Sequence, residues 1–342
     1  MNMCGFAGIF LNKESNLALE SFPIILKKMT DVIKHRGPNN QGIFIEEEEK
    51  LGLGFQRLSI IDLEKKANQP MRSYNKNWIL VYNGEIYNYK HLKNNLRKNR
   101  IPWKSTSDTE VVLECIAHYG FYDAIKKFNG MFAIAAYCFS EKTLWLARDK
   151  FGEKPLYFNY DSSEGFSFAS EIRSFYSLPT FKKHINEEAF SQYLKYGYVP
   201  DPLSIYKNTY KLEPGHIITY NKKNLIKKHS YWDSLNKFLA AKEKPFKGNY
   251  KEAKEEVKRK IDISTKNRLV ADVPLGIFLS GGIDSSNLVY SLYRQNIKPQ
   301  TFSIGFNDEK TNELDYANII ANQLNTKHSY KYISENDCLE SI

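Results

Sequence analysis

From Leu275 to Ser334 the chain alternates two hydrophobic periods. LGIFLS (275–280) is a continuous apolar run, DSSNLVYSLYRQN (284–296) a helix pattern and TFSIGF (301–306) a strand. LDYANIIANQLN (314–325) is a second helix and HSYKYIS (328–334) a third strand. Strands joined through helices of this length pair side by side when they run parallel, each helix making the crossover. The β-α-β-α-β order therefore predicts a parallel sheet with crossover helices. An amphipathic helix candidate, YKEAKEEVKRKIDISTKNRL (250–269), precedes it.

The first two hundred residues are written differently. GFAGIF (5–10), LGLGFQRLSII (51–61), WILVYNGEIY (78–87), FAIAAYCF (132–139), TLWLARD (143–149), PLYFNY (155–160) and GFSFAS (165–170) are short runs of β-branched, aromatic and small residues. FPIILKKMTDVIKH (22–35) and DTEVVLECIAHYG (108–120) carry helical spacing instead. Blocks of strands with helices between the blocks predict layered sheets and helices, not strict βαβ alternation. Between the two styles, the proline-punctuated 200–216 leads into a polar, lysine-rich stretch, 221–250, that reads as linker with one short helix. The expected division is a first domain over 4–212, a linker over 213–247 and a second domain over 248–342.

A length of 342 residues suits two domains, and 42% apolar with 14% aromatic residues supports packed cores. The apolar runs are too short to span a bilayer, and no basic segment followed by an apolar stretch opens the chain. Cys4, Cys115, Cys138 and Cys338 form no CxxC pair or Cys/His cluster, which argues against structural zinc and a disulfide framework. A cytoplasmic location is expected. The net charge of +10 is spread along the chain without a long basic block, so no nucleic-acid partner and no membrane partner are expected.

LSGGIDSS (279–286) stands between a strand and a helix, the context of a phosphate cradle. Gly281 and Gly282 let backbone N–H groups approach an anion, Ser280, Ser285 and Ser286 add hydroxyls, and the helix start adds positive potential. It lacks the GK[ST] ending of a Walker A loop. The bland alternative is a Gly-Gly turn with Asp284 and its neighbours capping the helix. The string resembles the pyrophosphate loop, SGGxDS, of the ATP pyrophosphatase family. That resemblance implies ATP bound through Leu279, Ser280, Gly281, Gly282, Asp284, Ser285, Ser286, Ile304 and Gly305, with Mg²⁺ at Asp284.

The chain opens MNMCGFAG. If translation starts at Met3 and that methionine is removed, Cys4 becomes the first residue. Its own α-amine, with a pKa near ~8, then serves as the base that a thiol nucleophile needs. If the preceding residues stay, Cys4 is an ordinary thiol. No histidine makes an evident pair with it, and His35 reads as structural.

MCGFAGIF (3–10), HRGPNNQG (35–42), QRLSIID (56–62), NGEIYNY (83–89), SDTE (107–110), NGMFAIAAY (129–137), RDKFGEKPLY (148–157) and FASEI (168–172) occur in the order seen in class II glutamine amidotransferases. Joined to the pyrophosphate loop, and with YGYVPDPLSIYKNTYKLEPGH (196–216) between, the chain resembles the glutamine-hydrolysing asparagine synthetase family over nearly its whole length. The resemblance implies an α+β N-terminal-nucleophile hydrolase sandwich (αββα), followed by a partial α/β Rossmann-like ATP pyrophosphatase domain. It implies Cys4 as nucleophile, Asn83 and Gly84 as oxyanion hole, Arg57 on the glutamine α-carboxylate, and Glu85 with Asp108 on its α-ammonium. Taken singly, Arg57 also fits a surface ion pair, Asn83-Gly84 a hairpin turn and Asp108 a helix cap. Cys115 and Cys138 read as buried core thiols.

The implied reaction joins glutamine hydrolysis to ATP-dependent amidation through an acyl-adenylate, with aspartate as the expected acceptor. The chain stops at CLESI (338–342), inside a helix pattern. It therefore reads as a C-terminally truncated member with part of an ATP site and no recognisable acceptor site. A sugar acid as acceptor, a glutaminase-only or inactive fragment, and a tRNA-modifying enzyme stay open as alternatives, and so does a homodimer.

Overall fold

Strand β1 (Gly5–Leu11) shows how the first half of the chain is layered. Its side chains alternate between two cores, as strand geometry requires. Phe6 and Phe10 point into one shared with Leu51, Leu53 and Phe55 of β3 (Leu51–Arg57), Ile79 and Val81 of β5 (Trp78–Ile86), and Ala133, Ala135 and Tyr137 of β6 (Gly130–Cys138). Ala7, Ile9 and Leu11 point the other way, onto Phe22, Ile25 and Met29 of helix α1 (Phe22–Asp31).

The computed structural model describes residues 3–12, 15, 17, 21–221, 226–306 and 312–340. They form two compact units, divided between Lys242 and Glu243. The first unit holds two six-stranded antiparallel sheets. One has the order β10 (Thr209–Lys211), β8 (Tyr157–Asp161), β9 (Gly165–Ala169), β1, β3, β2 (Asn40–Glu46). The other has the order β12 (Ile226–Ser230), β11 (His216–Asn221), β7 (Thr143–Arg148), β6, β5, β4 (Met71–Arg72). The first core lies between the sheets. Helix α1 covers the outer face of the first. Helices α3 (Asp108–Tyr119) and α4 (Phe121–Lys127) lie on the second, where Phe121 stacks on Trp78 of β5 and Trp145 of β7 at 6.3 and 5.2 Å. Helices α2 (Tyr89–Asn95) and α5 (Glu187–Tyr196) complete the unit. The sequence of layers is helix, sheet, sheet, helix, the expected αββα sandwich. Cys115 and Cys138 are buried within it.

The stretch 213–247, read as linker, carries β11, β12 and helix α6 (Ser234–Glu243). Strand β12, IKKHS, is exposed at every residue because it lies at the edge of its sheet. Lysines suit such an edge, and their polarity made the strand look like connector.

In the second unit β13 (Gly276–Phe278), β14 (Gln300–Phe306) and β15 (Lys327–Ile333) form a parallel sheet in that order. Helices α8 (Ile283–Arg294) and α9 (Leu314–Gln323) make the crossovers, following α7 (Tyr250–Asn267), and α10 (Glu335–Glu340) comes last. Asn249 and Glu252 close a reciprocal capping box at the start of α7. One core gathers Leu279, Val289, Ala317 and Ala321. A continuous apolar run such as 275–280 suits a buried strand, yet β13 is largely open, with Phe278 68% exposed. Phe302, Ile304 and Phe306 alternate outward on β14 in the same way. An apolar run reports affinity for a core, and here the described helices bury only one side of the sheet. No described helix is long and apolar enough to cross a membrane.

Candidate active site

The β1–β3 ladder pairs Gly5 with Gln56, which sets Cys4 next to Arg57 at one end of the first sheet. Glu85 and its two predecessors occupy the end of β5, and Asp108 opens α3. Cys4, Arg57, Asn83, Gly84, Glu85 and Asp108 all line one cleft of about 530 Å³ counting its open mouth. All six expected residues of the first domain are thus brought together.

The thiol is held by backbone. Leu58 N–H donates to Cys4 Sγ at 3.2 Å, and the thiol faces the Leu58 carbonyl oxygen at 3.4 Å. Arg36 Nε donates to the Cys4 carbonyl at 3.0 Å. Burial pushes the thiol pKa up, opposed by the Leu58 N–H and by the cations Arg57 and Lys154.

Asn83-Gly84 is no hairpin turn; both residues sit inside β5, paired with Ala133 and Phe132 of β6. Asn83 is only 2% exposed, and its Nδ2 has no hydrogen-bond partner among the described residues. A buried amide donor left unpaired is costly unless a ligand uses it. Gly84 is required by its surroundings, since a Cβ there would collide with the Met131 carbonyl oxygen across the ladder.

Arg57 is buried and donates to oxygens that carry no formal charge. Its Nη1 bonds Glu64 O and Asn68 Oδ1, both at 2.8 Å, and its Nη2 bonds the carbonyls of Ile61 and Asp62. Burial lowers its pKa. It forms no ion pair among the described residues, so the surface-pair reading fails.

Asp108 is the first residue of α3, and the cap is Ser107, accepting from Thr109 N–H. Its Oδ2 accepts from Tyr82 OH at 2.8 Å and Ile86 N–H at 3.0 Å. Burial raises its pKa despite these bonds. Glu85 is raised too, by burial first and then by Asp108. A cation in this cleft would favour the ionised form of both carboxyls.

Lys154 was not anticipated. It is 6% exposed, lines the same cleft, and donates from Nζ to the Met3 thioether at 3.2 Å. The signal was present in RDKFGEKPLY, but a loop lysine reads by default as solvated. His35, by contrast, does not line this cleft and meets Glu171 Oε1 at 2.9 Å.

In the second unit Gly281 has φ +83°, and a Cβ there would strike the Ala317 backbone. Gly282 caps α8, whose first turn includes Asp284. Ser280 and Ser285 bond each other through their hydroxyls at 3.1 Å, and Ser286 Oγ is buried with no partner among the described residues. Leu279 is a core residue whose N–H donates to Phe302 O at 2.8 Å and whose carbonyl accepts from Ser303 Oγ, while Ile304 is exposed and Gly305 buried. A left-handed glycine, an unpaired hydroxyl and an open helix start suit a polyphosphate. Among the described residues no three His, Cys, Asp or Glu gather as a metal cage. Asp284 alone suits only an ion such as Mg²⁺ that takes its other ligands from phosphate and water.

Residues 3–232 match the glutamine amidotransferase domain family and residues 256–342 the asparagine synthase family. A putative glutamine-hydrolysing asparagine synthetase 2 of Methanocaldococcus jannaschii is 36% identical, over 99% of this chain and 67% of that protein. Glutamine-hydrolysing asparagine synthetase 1 of Bacillus subtilis is 34% identical, over 99% and 52%. The glutamine phosphoribosylpyrophosphate amidotransferase structure from B. subtilis aligns with TM-score 0.48 at 16% identity, covering 99% of this chain and 70% of that one, a likeness too low to establish a shared fold. The chain spans about half to two thirds of the length of the two relatives. With both of its domains matched in order, the chain belongs to the glutamine-hydrolysing asparagine synthetase family.

Proposed function

We propose that the first unit hydrolyses glutamine at Cys4 and that the ammonia serves ATP-dependent amide synthesis with aspartate as acceptor. Removal of the residues before Cys4 frees its α-amine. The amine takes the thiol proton as sulfur attacks the glutamine side-chain amide carbon. Asn83 Nδ2 and the Gly84 N–H stabilise the oxyanion. The amine passes its proton to the departing nitrogen, ammonia leaves, and water cleaves the remaining thioester to glutamate. Arg57 is assigned to the substrate α-carboxylate, which its Nη donors would take in exchange for the Glu64, Asn68, Ile61 and Asp62 oxygens they hold here. Glu85 and Asp108 hold its α-ammonium, which selects the free amino acid over a glutamine within a peptide. In the second unit Ser280, Gly281, Gly282, Ser285 and Ser286 would hold the ATP phosphates and Asp284 the Mg²⁺. Bound ATP supplies the activation of the acceptor carboxylate.

The observation that carries this reading is the buried, unpaired Asn83 Nδ2 in the cleft that also holds Cys4. Glutamate release by the whole chain tests it. We expect Cys4→Ala to abolish release and Asn83→Ala to lower kcat by about 10²–10³ with a smaller change in KM. A protein that begins at Cys4 and releases no glutamate would overturn it.

A further inference from the structure

A lysine folded to 6% exposure with a thioether as its hydrogen-bond acceptor is an unusual expense. Thioethers are weak acceptors, and a buried ammonium without a strong partner is costly. The fold nonetheless fixes this lysine at both ends of its peptide unit. Lys154 N–H donates to Asp149 Oδ2 at 3.0 Å, and its carbonyl accepts from Arg148 Nε at 2.9 Å. Asp149 also takes the N–H groups of Phe151 and Glu153, at 3.0 Å each, and of Phe132 at 3.2 Å. Arg148 in turn is held by Asp201 at 2.9 Å and Leu212 O at 2.7 Å. This scaffold presents one cation to the Cys4 cleft from a loop with no other residue in it.

We propose that Lys154 is a positioning residue for Cys4, its ammonium setting the protonation balance of the cysteine's thiol and α-amine. The inference rests on the glutaminase reading above. The Met3 sulfur occupies the Nζ, and removal of Met3 leaves the new α-amine as the next group along the chain. A cation there keeps the amine neutral and ready to take the thiol proton, and stabilises the thiolate as it forms. The other charged and titratable groups acting on Cys4 and Lys154 come from every side. Arg57 from β3, and Arg36 from the turn after α1, add positive charge. Glu85 from β5, Asp108 from α3 and Glu153 of the same loop add negative charge, and Tyr82 stands bonded to Asp108. Arg57 is bound to backbone and amide oxygens, and Arg36 is paired with Glu171 at 2.9 Å. Among the described residues Lys154 is the cation in this set without an anionic or carbonyl hydrogen-bond partner for its side chain.

The test is the pH dependence of Cys4 alkylation by iodoacetamide, read by peptide mass spectrometry on the full chain. The exposed Cys338 serves as reference in the same digest. We expect Lys154→Met to move the Cys4 midpoint to higher pH by about one unit, with Cys338 unmoved. Lys154→Arg should restore it, and Lys154→Gln gives the same reading if the methionine variant does not fold. The acidic limb of glutamine hydrolysis should move in the same direction. An unmoved Cys4 midpoint overturns the proposal, and a raised glutamine KM with that unmoved midpoint makes Lys154 a substrate-binding residue instead. A shifted midpoint in a protein that hydrolyses no glutamine sinks the glutaminase reading and leaves the electrostatic role standing.

Discussion

Glu85 and Asp108 are held in the cleft at a cost to the fold. Both carboxyls have pKa values raised by burial, and Glu85 is raised further by Asp108. A carboxyl that binds its proton more tightly folded than unfolded favours the fold at low pH. That advantage is lost as pH rises through the ordinary and then the raised pKa. Glu85→Gln therefore should stabilise the chain near pH 7, by roughly 0.5–2 kcal/mol, and leave it little changed near pH 4. The same change removes one of the two carboxylates proposed to hold the α-ammonium, and should raise the glutamine KM. Thermal melts at the two pH values, with a glutamine titration, check both directions. A variant less stable at pH 7, or one with unchanged KM, contradicts the role given to Glu85.

At the scale of elements, β5 is the strand on which the site depends. It lies next to the short edge strand β4, which pairs with its Ile79 and Leu80, and it ends in polar residues that face a cleft. Gly84 makes this possible by letting β6 approach without a side chain between. Gly84→Ala should force the two strands apart at Met131, costing about 1–3 kcal/mol, and should disable glutamine hydrolysis even where the protein still folds. Urea unfolding alongside glutamate release measures both; unchanged hydrolysis would show that the strand tolerates the shift. The strand itself was legible, because Trp78 to Tyr82 carry a dense β pattern, but Asn83-Gly84 equally suggests a turn. Only the nine-residue ladder with β6 decides between them. Strand β12 was illegible for the opposite reason, an exposed edge built of lysines. Lys154 could not be read as buried because its burial is imposed by Arg148 and Asp149 through the folded loop.

Over the whole molecule, local periodicity carried far in the second unit, where each strand and crossover helix appears near its expected place. It failed on burial, since period and hydrophobicity do not say how many layers cover a sheet. The first unit's architecture followed from the order of its motifs more than from any single pattern. Its chemistry turns on one question the folded cleft poses directly: whether the group beside the Cys4 thiol is a free amine. Treating the full chain with a glutamine-analogue electrophile and sequencing the labelled peptide by mass spectrometry answers it. We predict a single adduct on a peptide whose first residue is Cys4, formed in step with loss of glutamine hydrolysis. An unlabelled peptide that still begins Met-Asn-Met, from a protein that hydrolyses glutamine, would contradict the account.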